Sequence, residues 1–177
     1  MKEDLVERSE AFTGRLVRVV VDRVRRPDGS ICTREVVRHP GAVAILPLQH
    51  DGRILLVRQH RHPVGTALWE IPAGKLEQGE EVLACAKREL REETGYEAAR
   101  WEKLLSFFTS PGFCDEQITL FVARDLRTVA APIPDEIDAQ RLFDRQRLQE
   151  MVRSGEIRDG KTLLALLVAG IRLSRDI

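Results

Sequence analysis

The chain has 177 residues, 43% of them hydrophobic and 32% charged, with 28 Lys plus Arg against 28 Asp plus Glu. That length suits one domain with a proper core. The zero net charge argues neither for a nucleic-acid partner nor for an acidic tail. Cys32, Cys85 and Cys114 are odd in number and lack metal-ligand spacing, which fits a reduced, cytoplasmic protein without a disulfide framework.

The N-terminal MKEDLVERSE has no apolar core and is not a signal peptide. Residues 15–26 alternate and are rich in valine, Pro27-Asp28-Gly29-Ser30 is a turn, and residues 31–39 return, which predicts a β-hairpin. Residues 41–49 and 53–61 flank Asp51-Gly52, a second hairpin signal. Their apolar runs VAIL and ILLV predict strands buried on both faces. Ala67 to Ile71 is a short strand before Pro72, a helix follows from about Glu80 to Thr94, and Gly95 stops it. Residues 101–110 and 117–126 are strand-like, 127–138 is a loop with two prolines, and Arg145–Gly155 and Thr162–Ser174 have helical periodicity. The apolar stretch 162–171 is too short to span a bilayer, so a soluble protein without membrane association is expected. Strands early and helices late predict an α/β fold around a mixed sheet.

The helix before Gly95 carries acids where they are disfavoured. Glu92 and Glu93 lie in its last turn, at the negative end of the helix dipole. Glu89 and Glu93 form an i,i+4 like-charge pair, a repulsion of roughly 0.2–0.5 kcal/mol. At about 100° per residue the three carboxylates point one way, beside an apolar stripe of Val82, Leu83, Ala86 and Leu90. A solvated Glu-Arg-rich helix is the plain alternative. Hard oxygen donors at this density suit Mg²⁺ or Mn²⁺, and the Ile71-Pro72-Ala73-Gly74 loop could add a backbone carbonyl. Cys85, one turn before Glu89, fits a small packing residue. The four histidines, His39, His50, His60 and His62, have no supported ligand spacing.

Gly74, five residues, Glu80, seven residues, Arg88-Glu89-Leu90, one residue, Glu92-Glu93, one residue, Gly95: this spacing resembles the signature of the Nudix hydrolases, departing only at Tyr96. The resemblance implies an α/β/α sandwich with a mixed sheet and metal-dependent hydrolysis of a nucleoside diphosphate linked to another moiety. It carries metal ligation to Glu89, Glu92, Glu93 and the carbonyl of Ala73. It also implies that Glu92 and Glu93 serve catalysis, that Arg88 orients a box carboxylate, and that Glu80 ties down the loop.

Ser110-Pro111-Gly112-Phe113, Arg58-Gln59-His60-Arg61, Glu70 to Gly74 and Gly155 to Thr162 further resemble the ADP-ribose pyrophosphatase subfamily. The resemblance implies hydrolysis of ADP-ribose to AMP and ribose 5-phosphate, with Arg61, Pro111 and Gly112 on the substrate. It also implies a homodimer built through an N-terminal strand and hairpin region, residues 1–40, ahead of a Nudix domain at 41–177. The subfamily's acidic loop is altered here to Pro134-Asp135-Glu136-Ile137-Asp138. Glu136 is therefore the first candidate for positioning the attacking water and Asp138 the second. Another nucleotide sugar such as a GDP-hexose, or non-catalytic nucleotide binding, are the rival readings.

Overall fold

The computed structural model describes residues 2–129 and 134–171. By contacts the chain divides into two compact units, residues 1–42 with 106–118, and residues 43–105 with 119–177.

In the first unit β1 (Asp4–Thr13), β2 (Arg18–Arg25) and β3 (Ile31–Arg38) form an antiparallel sheet in that order. The hairpin β2–β3 is the expected one. Asp28 closes its turn by accepting from the Ser30 N–H and hydroxyl. The strand β1 is unanticipated by periodicity, since all ten of its residues are exposed. Cross-strand charge holds it instead: Arg8 grips Asp22 at 2.6 and 2.7 Å, and Arg23 pairs with Glu7 at 2.9 Å. Its outer surface leaves Leu5, Val6 and Phe12 in solvent. Residues 110–115 join the end of β3. Val37 N–H donates to the Phe113 carbonyl, and Asp115 accepts from Arg38 Nη1 and His39 N–H, both at 2.8 Å.

The larger sheet has seven strands and is mixed, with β10-β5-β4-β9-β8 as its path. Its members are β4 (Ala42–Leu48), β5 (Ile54–Arg61), β6 (Thr66–Glu70), β7 (Ala73–Lys75), β8 (Tyr96–Phe108), β9 (Gln117–Thr128) and β10 (Ile137–Phe143). As expected, Val43–Leu46 and Ile54–Val57 are buried throughout. Helix α1 (Val82–Thr94) lays Cys85, Ala86 and Leu90 on Val43, Ile45, Phe121 and Ala123. Residues between these on the strands, such as Ala44, Leu46, Leu120 and Val122, must point to the other face and are buried too. Helices α2 (Arg145–Arg153) and α3 (Gly160–Val168) supply Leu148, Met151, Ala165 and Leu166 to the core. Helix α1 starts two residues later than the periodicity suggested. Glu81 caps it by accepting from the Leu83 and Ala84 N–H groups, and Gly95 ends it in the left-handed conformation at φ 67°.

Candidate active site

The acid-rich end of α1 is organised by one cation. Arg88 reaches Glu80 through Nε at 2.8 Å and Nη2 at 2.9 Å, Glu89 through Nη1 at 2.7 Å, and Glu92 through Nη1 at 3.1 Å. Glu80 lies outside the helix, and its other contact, from the Glu77 N–H at 3.0 Å, braces the loop. The hydrogen bonds from Arg88 hold the Glu80 carboxyl down at about 2.

Glu89, Glu92 and Glu93 share a helix end but not an environment. Glu92 is 53% exposed, whereas Glu89 is 12% exposed and packs over the backbone of Gly74. A Cβ on Gly74 would fall inside the Glu89 carboxylate, so this placement of the carboxylate depends on the glycine opening the motif. Glu93 meets the adjoining backbone, where its Oε2 accepts from the Ala73 N–H at 3.0 Å. Burial pushes the Glu93 carboxyl up to about 7 against the opposing Ala73 bond, and it raises Glu89 as well.

Among the described residues no three His, Cys, Asp or Glu groups form a ligand cluster. The contacts above explain this, because Arg88 draws Glu89 and Glu92 to itself while Glu93 is held by Ala73. The donor set nevertheless fits a hard divalent cation: carboxylates only, two of them half-buried at a cost to their charge, over a glycine that leaves room.

A second cluster went unrecognised in the sequence. Glu70, 1% exposed at the end of β6, accepts a bidentate bond from Arg61 at 2.9 and 2.7 Å and a bond from Lys161 Nζ. Asp159 holds Lys161 at 2.9 Å and caps α3 through the Thr162 N–H at 2.9 Å, while the Thr162 hydroxyl accepts from the Ile71 N–H at 2.9 Å. Arg61 and Lys161 are close enough to favour the charged form of Glu93. The available signal was an acid between Trp69 and Ile71 in a strand of buried character, since such an acid needs a cationic partner.

The remaining candidates are dispersed. Pro111 and Gly112 occupy an exposed turn of the first unit, closed by bonds from Phe113 and Cys114 N–H to the Ser110 carbonyl. Glu136 is exposed in the turn before β10, and Asp138 is exposed at a register shift within β10. Cys85 is fully buried in the core, and burial pushes its thiol up to about 12, so it is a packing residue.

A glutamate-rich helix end folded over a glycine makes this part of the fold the candidate site for a hard cation. The NUDIX domain family model matches residues 37–166, and the chain belongs to the Nudix family. It is 43% identical to a methanol dehydrogenase activator of Bacillus methanolicus, covering 93% of this chain and 91% of that one. It is 38% identical to an ADP-ribose pyrophosphatase of Bacillus subtilis strain 168, covering 94% and 91%. A crystal structure of an ADP compounds hydrolase superposes with a TM-score of 0.83 over 96% of this chain and 93% of that one, at 20% identity, which establishes the fold. No helix among the described residues is long and apolar enough to cross a membrane.

Proposed function

We propose that this Nudix pyrophosphohydrolase cleaves the diphosphate of ADP-ribose, giving AMP and ribose 5-phosphate. One observation carries the reading: 38% identity to an ADP-ribose pyrophosphatase over nearly the whole chain, with every box carboxylate retained. Nudix hydrolases are generally divalent-metal dependent. Mg²⁺ or Mn²⁺ would be held by Glu89, Glu92, Glu93 and the Ala73 carbonyl. When bound, such an ion neutralises the diphosphate and lowers the pKa of a coordinated water.

The chain's own residues do the rest. Arg88 restrains Glu89 and Glu92, while Gly74 leaves the Glu89 carboxylate its place. Arg61 spends its Nε and Nη2 on Glu70, which fixes the guanidinium in a bidentate fork and leaves Nη1 to meet a phosphate oxygen. Pro111 and Gly112 contact the substrate. Glu136 positions the attacking water, with Asp138 as second choice. The protein works in the cytoplasm as a homodimer formed through residues 1–40, and the solvent-facing Leu5, Val6 and Phe12 of β1 support that interface.

The test is product analysis on a panel of nucleotide sugars, ADP-ribose and a GDP-hexose among them, with Mg²⁺ and with Mn²⁺. AMP from ADP-ribose is expected; no AMP with either metal overturns the assignment. The name of the Bacillus methanolicus relative favours a second reading, stimulation of a methanol dehydrogenase. Adding the chain to an assay of that dehydrogenase tests it.

A further inference from the structure

Antiparallel pairing sends neighbouring residues of β5 and β6 to opposite faces of the sheet. Glu70 pairs with Val57 on the face that carries α1, whereas Trp69 pairs with Arg58 on the other. Ala139 lies opposite Arg58, Arg141 opposite Leu56 and Phe143 opposite Ile54, so these side chains share the face of Arg58. Together with Arg147 and Arg158 they line a groove of about 520 Å³, within the usual range for a small-molecule site.

Four guanidiniums come to this groove from four places: β5, β10, α2 and the loop before α3. Arg147 is engaged by Glu156 at 2.6 Å and by Glu150 at 3.7 Å. Among the described residues no acid pairs with Arg58, Arg141 or Arg158, and all three are exposed. A chain of zero net charge thus gathers like charges in one concavity, with Glu156 the only acid in its lining. Their repulsion is relieved by an anion, and guanidiniums bind phosphate oxygens in bidentate fashion. The floor is small at Ala67 and Ala139 and aromatic at Trp69, which meets Phe143 edge-on with ring centroids 5.1 Å apart. An indole held in that way offers a surface for a base. Glu150 on α2 and Glu156 beyond its end both pair with Arg147 and interrupt any basic path there, which favours a compact ligand over a polymer.

We propose that this groove is a second ligand site, on the opposite sheet face from the box glutamates, which binds a nucleotide polyphosphate. The phosphates lie on Arg58, Arg141 and Arg158, and the base lies against Trp69. The assignment does not depend on which substrate the box glutamates serve.

Calorimetric titration with ATP in the presence of EDTA tests it, with thermal unfolding as the check on folding. The combined charge reversal R58E/R141E/R158E alters only exposed side chains and is expected to weaken ATP binding about tenfold or more. Trp69→Leu is expected to weaken ATP while leaving inorganic tripolyphosphate unchanged, and Arg61→Ala is expected to leave ATP binding as it was. ATP binding that survives the triple reversal, or that is lost in Arg61→Ala alone, overturns the site. Tripolyphosphate binding as tightly as ATP overturns the nucleotide assignment, and displacement of ATP by a short oligouridylate at equal phosphate concentration overturns it in favour of nucleic acid.

Discussion

Two charged clusters on the α1 side of the sheet solve opposite problems. Around Arg88 one cation serves three acids, Glu80, Glu89 and Glu92, so the box is left rich in negative charge. Around Glu70 one buried acid serves two cations, Arg61 and Lys161, and Asp159 balances the second, so that cluster is neutral but holds a fixed guanidinium. An acid surplus suits a divalent cation and a fixed guanidinium suits a phosphate oxygen, which is what hydrolysis of a diphosphate needs side by side. Glu93 stands where the two meet: burial and Glu89 work against its charge, while Ala73, Arg61 and Lys161 work for it.

The sharpest way to break the contrast is at that meeting point. Glu93→Gln keeps the shape and an acceptor for the Ala73 N–H but removes the charge. Turnover is expected to fall on the order of 10²–10³-fold, several kcal/mol of transition-state stabilisation, with little change in the unfolding midpoint. Unchanged turnover would refute the metal-site reading. Glu70→Ala should behave in the opposite way. It leaves the partly exposed Arg61 without its acid and Lys161 with Asp159 alone, and should cost roughly 1–3 kcal/mol of stability in denaturant titrations.

The Glu70 cluster also predicts a pH signature. Burial opposes the charge of Glu70, but the hydrogen bond from Arg61 and the charge of Lys161 outweigh it and hold the carboxyl below its usual 4.5. A depressed folded value means that the stabilisation is complete above 4.5 and is lost as pH falls through the lowered value. The stability gap between the wild type and Glu70→Gln should therefore be constant from neutral pH to about 5 and shrink below 4. A gap that grows in acid would reverse the assigned direction.

The same contrast separates what was legible in the sequence from what was not. The box could be read because its parts are local. The helix period, the Gly95 stop and the carboxylate spacing all lie within 23 residues, and the structure returns α1 with its end at Thr94. The buried runs of β4 and β5 were legible for the same reason. The Glu70 cluster was hidden because Glu70 and Lys161 are 91 residues apart, and only folding makes them partners. Strand β1 was hidden for a different reason: charge pairs such as Arg8 with Asp22 hold it, and an exposed strand shows no hydrophobic alternation. Wheel geometry put Glu89, Glu92 and Glu93 on one side, yet their unequal burial depends on Gly74 and Ala73, which a wheel does not contain.

Gly74 offers a smaller perturbation of the box. Gly74→Ala drives a methyl into the Glu89 carboxylate and must displace the end of that flexible side chain, at little cost to folding. The apparent affinity for Mn²⁺, followed by titration, should weaken with it; an unchanged affinity would mean that Glu89 is not a ligand.

The gentlest test separates the two duties of Asp159, which caps α3 at the Thr162 N–H and also holds Lys161. Asp159→Asn keeps a capping oxygen and loses the charge, while Asp159→Ala loses both. If the cap is its main contribution, Asn should stay close to the wild type and Ala should fall by about 1 kcal/mol. If Lys161 depends on Asp159 to balance the second cation on Glu70, both variants should fall together. In a Glu70→Gln background the loss from Asp159→Asn should then change in size, because neighbouring groups in one network do not add independently. Equal losses in both backgrounds would show that Glu70 and Asp159 hold Lys161 without reference to each other.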